Sequence, residues 1–342
     1  MGENVNIDIL DISKFILSLC IVAIHTELLK CILYPWVRLA VPLFFTISSY
    51  LLFRKIQKSD KKAKWPIIFR YIKRNAVLYL FWFIVLLPIT IVLRKSWFSN
   101  GILPGMWMII TQTLFANTFA ASWYISATII GTLIICVASE RIKTKALVCF
   151  TMIPHIICCL VSSYSYLFCK IDFFKNFGEI YKFFFASPIM SFPVSLAYIA
   201  LGKYMSERKN EQFDKKDIFA LLASLVLLYV EWRVSSHYSG TTTSDCLFML
   251  FPCVLYIFKN LFHIKIHIKG SKTIRAMSTI IYPLHMSVAI VVRGVMRRFA
   301  LSPEMAYGMV AYFSTVCICL IVCYVIFKLE KKGVIKILRY AH

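Results

Sequence analysis

The sequence predicts an all-α polytopic membrane protein, and three observations carry that prediction. Apolar residues come in runs of about twenty, the length a helix needs to cross the hydrocarbon core of a bilayer. Basic clusters separate the runs. Only 16% of the 342 residues are charged against 60% hydrophobic, too little charge for a soluble protein of this length. The formal net charge of +23 fits Lys and Arg in membrane-protein loops, and no nucleic-acid partner is expected.

Ten spans are expected, at roughly 9–29, 37–53, 75–93, 122–139, 146–168, 183–202, 217–234, 244–262, 276–293 and 307–327. An amphipathic stretch, Ile102 to Ala116, precedes the fourth and either lies in the interface or re-enters the bundle. The N-terminus MGENVNID has no basic leader, so the first segment is expected to remain as a helix. The expectation is one membrane domain over 1–342, with no soluble domain. Alternate loops (54–74, 140–146, 203–217, 259–275 and 328–342) hold 27 of the 39 Lys and Arg, and the opposite set holds 11. That asymmetry predicts an even number of spans with both termini cytoplasmic. Pro154, Pro188, Pro193, Pro252 and Pro283 fall within spans, where neighbouring helices must satisfy the freed carbonyls. Most of the twelve cysteines sit inside apolar runs as small packing residues. No Cys/His spacing points to zinc, and no metal is expected.

The first span, ILDISKFILSLCIVAIHTELL, breaks membrane rules. It carries Asp11, Lys14 and His25, and each charge in hydrocarbon costs at least about 2.5–3.5 kcal/mol. Lys14 and His25 are eleven residues apart, close to three whole turns, so they share one face about 16 Å apart along the axis. An imidazole there can deprotonate a substrate hydroxyl. Lys14 suits an anion such as a phosphate, or an i,i+3 pair with Asp11. Helix packing for His25 and snorkelling for Lys14 remain open on this helix alone. Ser48 and Ser49 in the second span are expected to allow close helix approach. Glu231 is an acid within the seventh span, so it is a functional candidate, with Arg233, Arg38 or His237 as structural partners in the other reading. His285 lies partway across the ninth span, and His155 beside Pro154 reads as structural.

Taken together, Lys14-x10-His25 and Arg38 with VPLFFTISSYLL resemble the signature of the acyltransferase-3 family of integral membrane acyltransferases. Tyr71 to Trp82 (YIKRNAVLYLFW), Ser122 to Gly131 (SWYISATIIG), Phe192 to Tyr204 (FPVSLAYIALGKY) and Ser278 to His285 (STIIYPLH) are similar to further motifs of that family, in order along nearly the whole chain. Within the family the pattern is closest to the membrane half of the serine racemases of vancomycin resistance, in Glu231 and Asp245. Ala121 stands where the family often has His, and Val77 where a second Arg follows Arg74. The resemblance implies a membrane-bound O-acyltransferase that moves an acetyl group from acetyl-CoA to a hydroxyl of a cell-envelope carbohydrate or similar acceptor, in the cell membrane. It implies His25 as general base and Lys14 and Arg74 as contacts to the donor, with Arg38 of the same signature expected beside them, while Glu231 and His285 are further catalytic candidates as ionisable groups within spans. The partners implied are acyl-CoA, a hydroxylated acceptor and the lipid bilayer. The resemblance also raises an alternative, a transporter of a small polar solute such as L-serine.

Overall fold

The computed structural model describes residues 7–187, 189–208, 214–240, 245–264, 266–299, 307–333 and 336–342. Among these residues there are helices and no strands. The first half of the chain supplies α1 (Ile7–Thr26), α2 (Lys30–Val37), α3 (Ala40–Gln57), α4 (Lys64–Val85), α5 (Leu87–Arg94), α6 (Ile102–Phe115), α7 (Trp123–Ala138) and α8 (Thr144–Val161). The second half supplies α9 (Ser165–Phe168), α10 (Asp172–Phe185), α11 (Phe192–Glu207), α12 (Lys215–Ser239), α13 (Leu250–Leu261), α14 (Ser271–Arg298) and α15 (Met309–Lys331).

Six helical stretches are long and apolar enough to cross a membrane: Asp8–Thr26, Lys30–Gln57, Thr144–Val161, Lys215–Ser239, Ser271–Arg298 and Met309–Lys331. A seventh is broken: Lys64–Val85 and Leu87–Phe98 meet at 72°. Pro88 sits in the first turn of α5, where its fixed φ starts a helix but its ring ends the one before. The remaining three expected spans are shorter helices, α7 and α11 of 16 residues each and α13 of 12. Each packs against other helices of the bundle, and α7 still exposes Leu133, Ile134 and Val137. In α11, Ala197 to Leu201 are all buried, so neighbouring protein rather than lipid surrounds them. Pro154 and Pro283 lie inside α8 and α14, Pro193 starts α11, and Pro252 opens α13. Pro188 lies outside the described residues.

The centre of the bundle is the α3–α11 pair, and α8, α7 and α13 pack around it. A second layer is α1 against α14, backed by α15. Small residues set the spacing of the central pair. A Cβ at Gly202 would fall under 3.0 Å from the Ser49 hydroxyl and the Thr46 carbonyl oxygen, and 2.9 Å from the Tyr50 amide nitrogen. Ser49 itself donates to the carbonyls of Phe45 (2.8 Å) and Thr46 (3.1 Å) within its own helix. The sequence expectation of close approach at Ser49 therefore holds. On the periphery, α12 and α15 expose Phe219, Val226, Phe313 and Ile321. Such faces suit acyl chains and would drive a soluble protein to aggregate.

Candidate functional site

The site grows from α1. Its last turn holds His25, and the helix stops one residue later. Glu27 and Leu29 then take left-handed φ values of 57° and 43°, unusual for residues with a Cβ. This turn sends α2 back into the bundle. Three groups now share one cavity of about 290 Å³: the His25 imidazole, the Glu27–Lys30 ion pair (3.2 Å), and Arg38. Arg38 is anchored. It pairs with Asp245 and donates to the Tyr34 hydroxyl, which in turn donates to Asp245 at 2.6 Å.

At the other end of α1, Lys14 lines a second cavity of about 460 Å³. Lys55, Arg70, Arg74 and Arg275 line it too, so five cations converge from α1, α3, α4 and α14. A third cavity of about 420 Å³ adjoins it, sharing Arg74 and Arg275 and adding Lys272. Asp11 is 1% exposed, and its carboxylate lies 3.7 Å from Arg275 across the α1–α14 interface, one turn from Lys14 on its own helix. Such a concentration of cations in a concave, partly dehydrated site is matched to a polyanion.

One side chain belongs to both the His25 cavity and the Lys14 cavity: Tyr282 of α14. Its hydroxyl donates to the Ala121 carbonyl at 2.7 Å, which fixes the ring across the boundary. Tyr124 packs edge-on against it at 5.0 Å between centroids, and Phe44 lies 6.1 Å away. Tyr124 also shares a 3.2 Å hydrogen bond with Ser48, so Ser48 does more than pack. The two cavities are therefore separated by one layer of aromatic rings.

His285 lies one turn after Tyr282, fully buried, with its ring 5.1 Å from that of His25. Its Nδ1 is 2.5 Å from the Tyr282 carbonyl and 3.2 Å from that of Ile281, and its Nε2 is buried without a partner. Arg293, two turns further along α14, donates to the His25 carbonyl at 3.0 Å. The two histidine rings thus meet across the α1–α14 interface.

The other expected site residues divide. Lys14 and Arg74 meet in the cationic cavity as expected. Arg38 does not join them. It sits at the His25 end, because the chain has crossed the bundle along α1 and turned before reaching it. Glu231 is away from both cavities. It accepts from the Tyr164 hydroxyl (2.5 Å) and from the amides of Phe248 (2.7 Å) and Met249 (2.8 Å), just ahead of α13. It pairs with none of the basic residues expected for it and serves as a remote cap for that helix. Sequence reasoning missed Arg275, Lys55 and the boundary role of Tyr282. A cation every three or four residues facing Lys14 is not separable by eye from ordinary loop charge. It also missed a buried group behind the His25 cavity, where His155, Cys159 and Cys246 bring their ligand atoms within 4.8 Å of one another.

An all-helical bundle with apolar spans, a cationic cavity at one end of α1 and a histidine cavity at the other defines a multi-pass membrane protein. The chain belongs to the acyltransferase-3 family, whose profile, described as an acyltransferase domain, matches residues 7–327. It is similar to two amino-acid racemases of Enterococcus faecalis. One is 24% identical over 291 residues, covering 78% of this chain and 37% of that protein. The other is 21% identical over 302 residues, covering 84% and 41%. The chain thus spans about two fifths of the length of these curated relatives. No solved structure matches it.

Proposed function

We propose that this membrane acyltransferase moves an acetyl group from acetyl-CoA to a hydroxyl of a cell-envelope carbohydrate or similar acceptor, in the cell membrane. The observation that supports this most is the sharing of Tyr282 between the cationic cavity and the His25 cavity. The donor's phosphates carry several negative charges and match Lys14, Arg74 and Arg275. Its uncharged thioester arm alone can pass the aromatic layer, since charge there is costly to dehydrate. The span from Lys14 to His25, about 16 Å of helix, is then bridged by that arm.

In this reading His25 takes the proton of the acceptor hydroxyl as its oxygen attacks the thioester carbonyl. The carbon–sulfur bond breaks, and the CoA thiolate leaves and recovers a proton from His25. His285 is a positioning residue. Its Nδ1–H donates to the Tyr282 carbonyl, which leaves Nε2 as an acceptor able to hold the His25 ring in one tautomer. Arg38 and Lys30 act on the acceptor's side of the wall. In this reading the donor cavity faces the cytoplasm, an orientation that the positive-inside charge pattern supports.

A second reading is favoured by the paired charges around His25. Glu27–Lys30 and Arg38–Asp245 offer both signs to a zwitterion, and the similar proteins are amino-acid racemases. On that reading the chain carries a small polar solute such as L-serine. The test is transfer of labelled acetyl from acetyl-CoA to envelope material, in membranes with wild type or His25→Ala. Labelling by wild type that falls at least about 100-fold in the variant is expected for a general base. Equal labelling in both would remove His25 from the chemistry. No labelling in either, with serine uptake intact, selects transport.

A further inference from the structure

Behind the His25 cavity, α8 presents His155 and Cys159 on one face, one turn apart, and the segment before α13 brings Cys246 against them. All three are buried. The Cys159 and Cys246 sulfurs are 3.5 Å apart, and His155 Nε2 is 3.8 Å from the Cys159 sulfur. In a tetrahedral zinc site the sulfur–sulfur edge is about 3.8 Å and the sulfur–nitrogen edge about 3.5 Å, from the bond lengths of such sites. Both separations lie within about 0.3 Å of those edges, and all three ligand atoms lie within 4.8 Å of one another, whereas a disulfide requires the sulfurs to close to about 2.05 Å.

Two further observations point to a ligand. The Tyr198 ring packs edge-on against His155 at 5.6 Å, and its hydroxyl is buried with no hydrogen-bond partner. Tyr198 and Cys246 also line the His25 cavity, which supplies a path of entry. We propose that His155 Nε2, Cys159 Sγ and Cys246 Sγ form a zinc site whose fourth position takes a water from that cavity, giving the Tyr198 hydroxyl its partner.

Charge calls for a divalent ion, and two thiolates with an imidazole at tetrahedral spacing favour zinc among these. Zinc with two thiolates and a neutral imidazole is neutral overall, so it can be held in an apolar interior, whereas cuprous ion on the same ligands leaves a net negative charge. Calcium and magnesium need oxygen ligands that this group lacks. Binding converts two thiols to thiolates and releases two protons. The site would tie the segment carrying Cys246 to α8. Asp245, the preceding residue, holds Arg38, so zinc would fix the anchor of the His25 cavity. The Cys246 amide already donates to the Ser163 hydroxyl at 3.1 Å, which presets the segment.

The test uses the full chain purified in mild detergent without chelator. Metal analysis after zinc equilibration and desalting is expected to give about one zinc per chain, falling at least about fivefold in Cys159→Ser and Cys246→Ser. Cys158→Ser serves as the control and keeps the metal, since its sulfur instead meets the Tyr181 hydroxyl at 3.3 Å. Cobalt titration of wild type requires no variant and is expected to give a thiolate-to-cobalt charge-transfer band that zinc displaces. Absence of that band, zinc content unchanged in the two serine variants, or a Cys159–Cys246 disulfide whose reduction restores no metal binding would overturn the proposal.

Discussion

Replacing Glu231 separates a structural carboxylate from a catalytic one. Its two oxygens accept three hydrogen bonds, from the Tyr164 hydroxyl and from the amides of Phe248 and Met249. Those amides lie at the start of α13, where no intrahelical acceptor exists and the helix dipole favours a negative charge. Hydrogen bonds to a charged group contribute about 1.5–3 kcal/mol each when buried. These are half-buried, so Glu231→Ala should cost about 3–5 kcal/mol in total. Glu231→Gln keeps one acceptor oxygen but turns an amide donor towards a backbone donor, so a cost of about 1–3 kcal/mol is expected. Thermal unfolding in detergent, read by a thiol-reactive or intrinsic fluorescence probe, should rank wild type above Gln above Ala. Acyl transfer per folded molecule, measured well below the transition, should stay within about threefold of wild type in Glu231→Gln, since the group touches neither cavity. A Glu231→Gln protein that melts like wild type yet transfers nothing would refute this reasoning and return Glu231 to the chemistry.

The cationic cavity and the central helix pair give two further tests. Arg74→Gln and Arg275→Gln should each raise the KM for acyl-CoA about 5–10-fold with kcat little changed, the loss of roughly 1 kcal/mol of charge-assisted binding, and the effect should shrink in high salt. Initial rates against acyl-CoA concentration at two ionic strengths check this, and a fall in kcat at unchanged KM would contradict it. Gly202→Ala should destabilise the bundle by about 1–3 kcal/mol, because its Cβ meets backbone atoms of α3 that cannot swing aside. A melting temperature equal to wild type would show that α3 and α11 can part at no cost.

The periodicity of α1 was readable without coordinates. Lys14 and His25 share a face because eleven residues make three turns, and a charged group in an apolar run stands out against its neighbours. The membrane class, the close approach at Ser49 and the family were equally local, resting on composition, small residues or short motifs. Helix lengths were less so. Segments read as spans of about twenty residues include α7, α11 and α13, which form only 16, 16 and 12 residues of helix.

Where the site lies depended on tertiary structure. Arg38 has a basic side chain like Lys14 and Arg74, yet it serves the opposite cavity, held by Asp245 more than two hundred residues away. Glu231 carries the mark of a functional membrane acid, but three donors from two other segments take up its oxygens. His155 and Cys159 are one helical turn apart, and only packing adds Cys246 to them. A sequence records each residue's chemistry and its spacing along one helix. Which distant groups share a cavity, a charge or a ligand position follows from how the helices pack, and that packing made Tyr282 the wall between two chambers.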